Sequence, residues 1–400
     1  MPLLTDAPPA RYRRAKTSRS ILREMKRAAL FVPHILSAIA MAQTPQWSAA
    51  AANEWYARQP WLVGSNYIQS NTVNQFEMWQ SETFDADRID MELGWAESLG
   101  MNVIRVVLQD LLWQHDSGGL QRRMGSLLKA ADKHKIKVIF VLFDSSGDPF
   151  PEPGRQRQAK PGVRQSLWAQ SPGAKGLTDP KQATRLLAYA EEVVAAFSID
   201  KRVLAWDVWN EPDNMNATSY RTSEPTNKVE LVQALLPKAF QYARAGNPTQ
   251  PVTSGVWKGD WSSPDKLDPV AKTQLELSDF ISFQNYDGPE EFEKRVKWLQ
   301  AYGRPIICTG FLARTQGSTA EAILPIAKKY NLGALVGDLV AGKPQTMLPW
   351  DSWQHPYTDK QPDVWFQDIF RGNGTPYRQE EVNFIKEIIG TSGRTAARRK

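Results

Sequence analysis

The sequence predicts an α/β fold of one domain, a (β/α)8 TIM barrel. Three observations carry this. Eight short apolar runs rich in β-branched residues recur along the chain. Stretches with the 3.6-residue periodicity of amphipathic helices lie between them. No linker, low-complexity tract or Gly-rich first turn interrupts the series. Alternating strands and helices imply a parallel sheet with crossover helices. Eight such units over about 350 residues suit a closed barrel with enlarged loops. An open doubly wound sheet is the alternative, and the missing Gly-rich turn counts against it.

The expected strands are WLVGSNY (61–67), NVIRVVL (102–108), KVIFVLF (137–143) and VLAWDVW (203–209), then PVTSGVW (251–257), FISFQNY (280–286), RPIICT (304–309) and LGALVGDLV (332–340). Helical patterns occupy 85–100, 120–134, 181–198, 228–246, 289–302 and 318–330. In the first of these Ile89, Leu93, Ala96 and Leu99 share one face, and Gly100 supplies the stop. The longest insertion, roughly 145–180, is rich in Pro, Gly and Gln and follows the third strand, which places it on the face where barrel active sites are built.

The net charge of +6 first suggests an acidic partner. Residues 1–42, however, hold eight Lys/Arg against two Asp/Glu, and that local +6 is the entire excess. The folded body therefore has no electrostatic footprint for nucleic acid. MKRAALFVPHILSAIAMA starts at Met25 with Lys26–Arg27, continues with an apolar run and ends on Ala40-Met41-Ala42, the layout of a secretory signal peptide. The expected organisation is a leader over 1–42 with the true start at Met25, a barrel over 43–391 and a basic tail over 392–400. The product is exported, periplasmic or secreted. The apolar run is about 15 residues and broken by Pro33, short of a membrane span. Cys308 is the single cysteine, so no internal disulfide forms. His115, His134 and His355 have no metal-ligand spacing, and neither metal nor cofactor is expected. GDLVAGKP (337–344) imitates a phosphate loop, but Pro344 replaces the magnesium-binding Ser/Thr.

In a barrel of this kind the site is built at the C-terminal strand ends. Those ends carry Gln109 and Asp110, then Asp144, then Asn210-Glu211-Pro212, then Trp257 and Trp261, then Asn285-Tyr286-Asp287, and finally Asp338 with Trp350 and Trp353 beyond it. WDVWNEP (206–212) is the sharpest signal. A carboxylic acid at a strand tip, beside an amide and before a proline, suits a general acid that protonates a leaving oxygen.

At these residues the chain resembles clan A glycoside hydrolases, and within them the cellulase-like family 5 group, over about 60–390. The resemblance rests on Arg105, on Asn210-Glu211-Pro212, on Tyr286 and on GRPIICT in strand seven. It implies a retaining β-glycosidase; the expected partner is a β-glycan or oligosaccharide, and the chain is expected to be a monomer. Glu211 would be the acid/base, Asn210 would bind the sugar 2-hydroxyl, Arg105 would organise the nucleophile and Tyr286 would hydrogen-bond it. Retention needs a second carboxylate about 5–5.5 Å from the first. The family places a Glu there at the end of strand seven, and this chain has Gly310. Gln284 and Gln109 stand where the family leads one to expect His, and strand eight lacks the aromatic platform near NWG.

Three readings follow. In the first the chain is a hydrolase with altered or impaired activity, an inverting mechanism drawing its base from Asp144, Asp287 or Asp338. The plain alternative for each Asp is a loop cap. In the second it is a non-catalytic carbohydrate-binding protein, with Trp79, Trp113, Trp257, Trp261, Trp350 and Trp353 near the top loops as stacking candidates. A buried structural Trp is the plain alternative for each. In the third it is an engineered nucleophile-to-glycine form. The concurrent Gln109, Gln284 and strand-eight departures count against a single edit.

Overall fold

The computed structural model describes residues 44–390. The leader, the Met25 start and the 392–400 tail lie outside the described residues. Eight strands form one parallel sheet: β1 (Val63–Asn66), β2 (Val103–Val107), β3 (Lys137–Asp144), β4 (Val203–Asn210), β5 (Val252–Thr253), β6 (Ile281–Gln284), β7 (Ile306–Phe311) and β8 (Gly333–Val336). Ladder pairing runs from β5 back to β1, then through β8 and β7 to β6. A parallel bridge between Val256 and Phe283 joins the two ends, so the sheet closes into a barrel.

The helices follow from caps and stripes. Asp85 accepts from the Arg88 N–H and starts the Ala86–Leu99 helix; Gly100 ends it at φ 85°. The expected helices at 181–198, 228–246, 289–302 and 318–330 are present, each slightly shorter than the pattern. The helix expected over 120–134 starts earlier, at Asp110, and kinks at Asp116, where φ is −151° and ψ 62°. Further helices are Ala49–Ala57, Pro269–Leu277 and Gln379–Ile389, with the short Gln75–Trp79 and Ala174–Thr178.

Two expected strands are corrected. The run 251–257 is regular only at Val252–Thr253, and beyond it Val256 alone rejoins the sheet. The run 332–340 is a strand only to Val336. Gly337 then packs on the Gln367 side chain so closely that a Cβ would overlap it, and the chain leaves the sheet there.

Most apolar area sits between the strands and the helix ring. The base of the barrel interior is a smaller cluster of Leu62, Val103, Ile139, Ala205, Ile307 and Leu335, closed from below by Trp55 and Tyr56 of the Ala49–Ala57 helix. Trp55 meets Phe280 at 5.5 Å between ring centroids. Above this floor the interior turns polar. Arg105 and Asp207 are buried inside the barrel, and the cleft opens over them.

Candidate active site

The cleft lies over the C-terminal strand ends and has a volume of about 520 Å³. Arg105 organises its floor. The guanidinium donates to Asp207 Oδ2 through Nε (3.0 Å) and Nη2 (2.8 Å), to Asn66 Oδ1 through Nη1 (2.9 Å) and to Asn210 Oδ1 through Nη2 (2.9 Å). Burial pushes the Asp207 carboxyl up, and the Arg105 charge opposes that push. Asn210 is locked from both ends. Its Oδ1 also accepts from Gln284 Nε2 at 2.7 Å, and its Nδ2 donates to Asp144 Oδ1 at 2.9 Å. Each amide orientation is thus dictated by a partner that can act in only one sense.

Glu211 follows directly. Its backbone sits at φ 45°, a left-handed conformation that costs a non-glycine residue free energy and recurs at functional sites. Its Oε2 accepts from Ser146 Oγ (3.0 Å) and Asn214 Nδ2 (2.6 Å). Burial, and then the negative charge of Asp144, push its carboxyl up from 4.5 to about 7. A carboxylic acid near neutral pKa, held by two donors and facing a cleft, is equipped to give up a proton.

A shell of polar groups supports that pose. Lys228 is buried and paired to Glu224 at 2.9 Å. Its ammonium also donates to the carbonyls of Ser145 (3.2 Å) and Asn214 (2.7 Å), which fixes the two segments that present Ser146 and Asn214 to Glu211.

Gly310 lines up with Gln284 across a register shift between β6 and β7. A Cβ built on it would lie 2.5 Å from the Tyr286 hydroxyl and 3.3 Å from Gln284 Cγ. The phenol of Tyr286 therefore fills the space that a side chain at 310 would enter. Burial, and then the Glu211 charge, push the phenol pKa up, so it stays neutral. Just beyond, buried Leu312 is held at φ 83°.

The structure brings together Arg105, Asp144, Asn210, Glu211, Trp257, Gln284, Tyr286, Asp287, Asp338 and Trp350 around one cleft. Gln109 is the correction. It is fully buried away from the cleft, where its amide donates to Gln170 O (3.0 Å) and its Oε1 caps the Leu111 N–H (3.3 Å). Trp79, Trp113 and Trp261 are buried core side chains. Trp257, Trp350 and Trp353 do line the cleft, and Trp350 meets Tyr286 edge-on at 5.5 Å.

The three candidate bases differ. Asp144 is buried and already engaged by three donors, Asn210 Nδ2 and the Ser146 N–H (2.9 Å) on Oδ1 and Trp168 Nε1 (2.7 Å) on Oδ2. Asp287 is exposed at the rim and accepts from Asn285 Nδ2 at 3.0 Å. Asp338 is buried, and desolvation followed by the charge of Asp368 pushes its carboxyl well above the usual range. Sequence reading missed Arg164, Trp168 and Gln367 in the cleft lining and Asp368 behind it. All four come from loops whose composition carries no periodic signal. The expected position of the 145–180 insertion was the one usable clue, and its Ser146, Arg164 and Trp168 do line the cleft.

No protein-family profile matches the chain, and no curated protein matches it. Solved structures do. A GH5_18 protein from Streptomyces cattleya in complex with GlcNAc superposes with a TM-score of 0.57 at 15% identity, covering 83% of this chain and 80% of that one. The exo-β-1,4-mannosidase Op5Man5 from Opitutaceae bacterium strain TAV5 gives 0.58 at 17% identity, over 89% of this chain and 62% of that one. An endo-β-1,4-mannanase from Thermotoga petrophila gives 0.52 at 12% identity, over 84% and 77%. These likenesses establish the barrel.

Proposed function

We propose that this barrel binds a β-linked glycan in the cleft and that Glu211 protonates the glycosidic oxygen. The observation that carries the reading is the Glu211 site itself: a strand-tip acid raised to about 7, held by Ser146 and Asn214, above an Arg105–Asn210 network. That network leaves the proton donor in a fixed pose, as general acid catalysis requires. The barrel likeness to glycoside hydrolases supports the same class.

Turnover on this reading is altered and low: as Glu211 protonates the leaving oxygen, a water with no assigned base attacks the anomeric carbon and gives its proton to solvent. Retention needs a carboxylate where Gly310 stands, and the neutral Tyr286 phenol fills that space. Inversion needs an ionised base free to take a proton from water, yet Asp144 is buried and engaged by three donors, Asp287 sits at the rim and Asp338 holds its proton above the usual range. The filled 310 space favours a second reading, a carbohydrate-binding barrel without hydrolysis. It disfavours an open nucleophile-to-glycine pocket for small anions.

The test uses a panel of β-glycans and aryl β-glycosides with wild type and Glu211→Gln. Binding is read by calorimetry and products by mass spectrometry. Wild type is expected to bind β-linked oligosaccharides and cleave them slowly, with cleavage lost in Glu211→Gln and binding kept. Binding without any cleavage selects the second reading. Absence of binding to every β-glycan, or cleavage that survives in Glu211→Gln, overturns the proposal.

A further inference from the structure

Resting on the β-glycan reading, we propose that the cleft is built for a glycan bearing free amines, a β-linked glucosamine-type oligosaccharide, whose ammonium is received by Asp338. The first observation is the isolation of that carboxyl. Asp338 lines the cleft with its side chain 10% exposed, and among the described residues nothing donates a hydrogen bond to it. Its nearest cation is Arg164, whose Nη2 lies 3.8 Å from Oδ2, beyond hydrogen-bond reach. The Asp338 oxygens therefore face the cleft with no donor on them, open to a partner that enters there.

The two terminal nitrogens of Arg164 are committed elsewhere, while its buried Nε has no partner among the described residues. Its Nη1 donates to the carbonyls of Thr346 and Leu348, and its Nη2 to Gln367 Oε1. Behind Asp338 lie Asp368, which accepts from Thr346 Oγ1 at 2.9 Å, and the Arg314–Glu381 pair at 2.6 Å. The group holds three carboxyls and two guanidiniums, so one negative charge is in surplus. A proton or a bound cation must cover it.

The cleft's other cations do not. Carboxylates outside the lining pair with them: Arg105 with Asp207 (2.8 Å), Lys258 with Asp213 (2.7 Å), and Arg295 (3.2 Å) with Glu291, which it shares with Lys294 (2.9 Å). Asp144, Glu211, Asp287 and Asp338 are left over as the cleft's own acids. The unpartnered buried atoms of the β6 end are acceptors too, Gln284 Oε1 and Asn285 Oδ1. The Gln284 orientation is forced, because Arg105 and Asp144 fix Asn210 and so draw Nε2, not Oε1, to it. A sugar hydroxyl can satisfy such acceptors, while a bound cation can also take the place of the proton that otherwise covers the surplus charge. An ammonium does both, since it donates three hydrogens and accepts none.

The experiment measures binding of three probes by calorimetry at about pH 6, below the ordinary range of an α-amino group. They are a β-1,4-linked glucosamine hexamer, its fully N-acetylated counterpart and cellohexaose. Wild type is expected to bind the amine oligomer on the order of tenfold more tightly than either neutral one. High salt is expected to erase that preference by screening. Asp338→Asn is expected to bring the amine oligomer down to the neutral level. Equal affinities in wild type overturn the amine assignment and leave the β-glycan reading standing. A preference that survives in Asp338→Asn overturns the role of Asp338. If that variant does not fold, the acetylated comparison and the salt series on wild type still decide. No binding of any probe overturns the amine assignment, and the wider β-glycan panel then decides the β-glycan reading.

Discussion

At position 310 one missing side chain and one phenol explain each other. The Tyr286 hydroxyl lies where a Cβ would begin. Gly310→Ala is therefore expected to destabilise the fold by about 1–3 kcal/mol, as overpacking does. Much of that loss should return in a Tyr286→Phe background. Urea melts of the four proteins in that cycle measure it, and a purely additive result would show that the two positions do not meet. Gly310→Glu alone should fall short of full turnover for the same reason. Glu211 gives a pH signature. Its folded value of about 7 lies above the ordinary 4.5, so between those two pH values the folded chain holds a proton that the unfolded chain has lost. Stability from this group is present at low pH and declines as pH rises through that window. Glu211→Gln should flatten the decline and melt higher than wild type above about pH 7. A steeper decline in the variant would contradict the burial argument. Proton donation should fall as pH rises through about 7, where the folded Glu211 ionises, seen as the alkaline limb of any measured rate.

Among elements, the loops after β3 and β4 and the start of the Lys228–Ala245 helix act as one unit. Lys228 ties Glu224, Ser145 O and Asn214 O together in a site that excludes water. Lys228→Met leaves Glu224 buried without its cation and should cost about 3–5 kcal/mol. Replacing Glu224 as well, by Leu, should recover part of that loss. Chemical denaturation of the single and double variants decides it; a single variant as stable as wild type would mean the pair adds nothing. The Gln109 outcome belongs to the same scale. A polar residue at a strand end can face the cleft or cap the next helix, and Gln109 caps the Asp110–Lys133 helix. Sequence offers no means of choosing between those, because both require the same residue type at the same place.

For the whole molecule, the described residues contain a closed barrel, its floor and its cleft. A chain spanning 44–390 is expected to fold alone and to melt within a few degrees of the full chain. Calorimetric scans of both test this, and a large drop would assign stabilising contacts to the residues outside. Eight strands, their order around the barrel and the position of Glu211 were legible in the sequence because they depend on local periodicity and on a strand-tip motif. Apolar alternation sets which runs become strands, and chain geometry sets how consecutive parallel strands connect. What fills the space at 310, which of the aromatic residues near the top loops reach the cleft, and the meeting of Asp338 with Arg164 and Asp368 were decided only by tertiary structure. Those contacts join residues far apart in sequence, and charge pairing and packing carry no period along the chain.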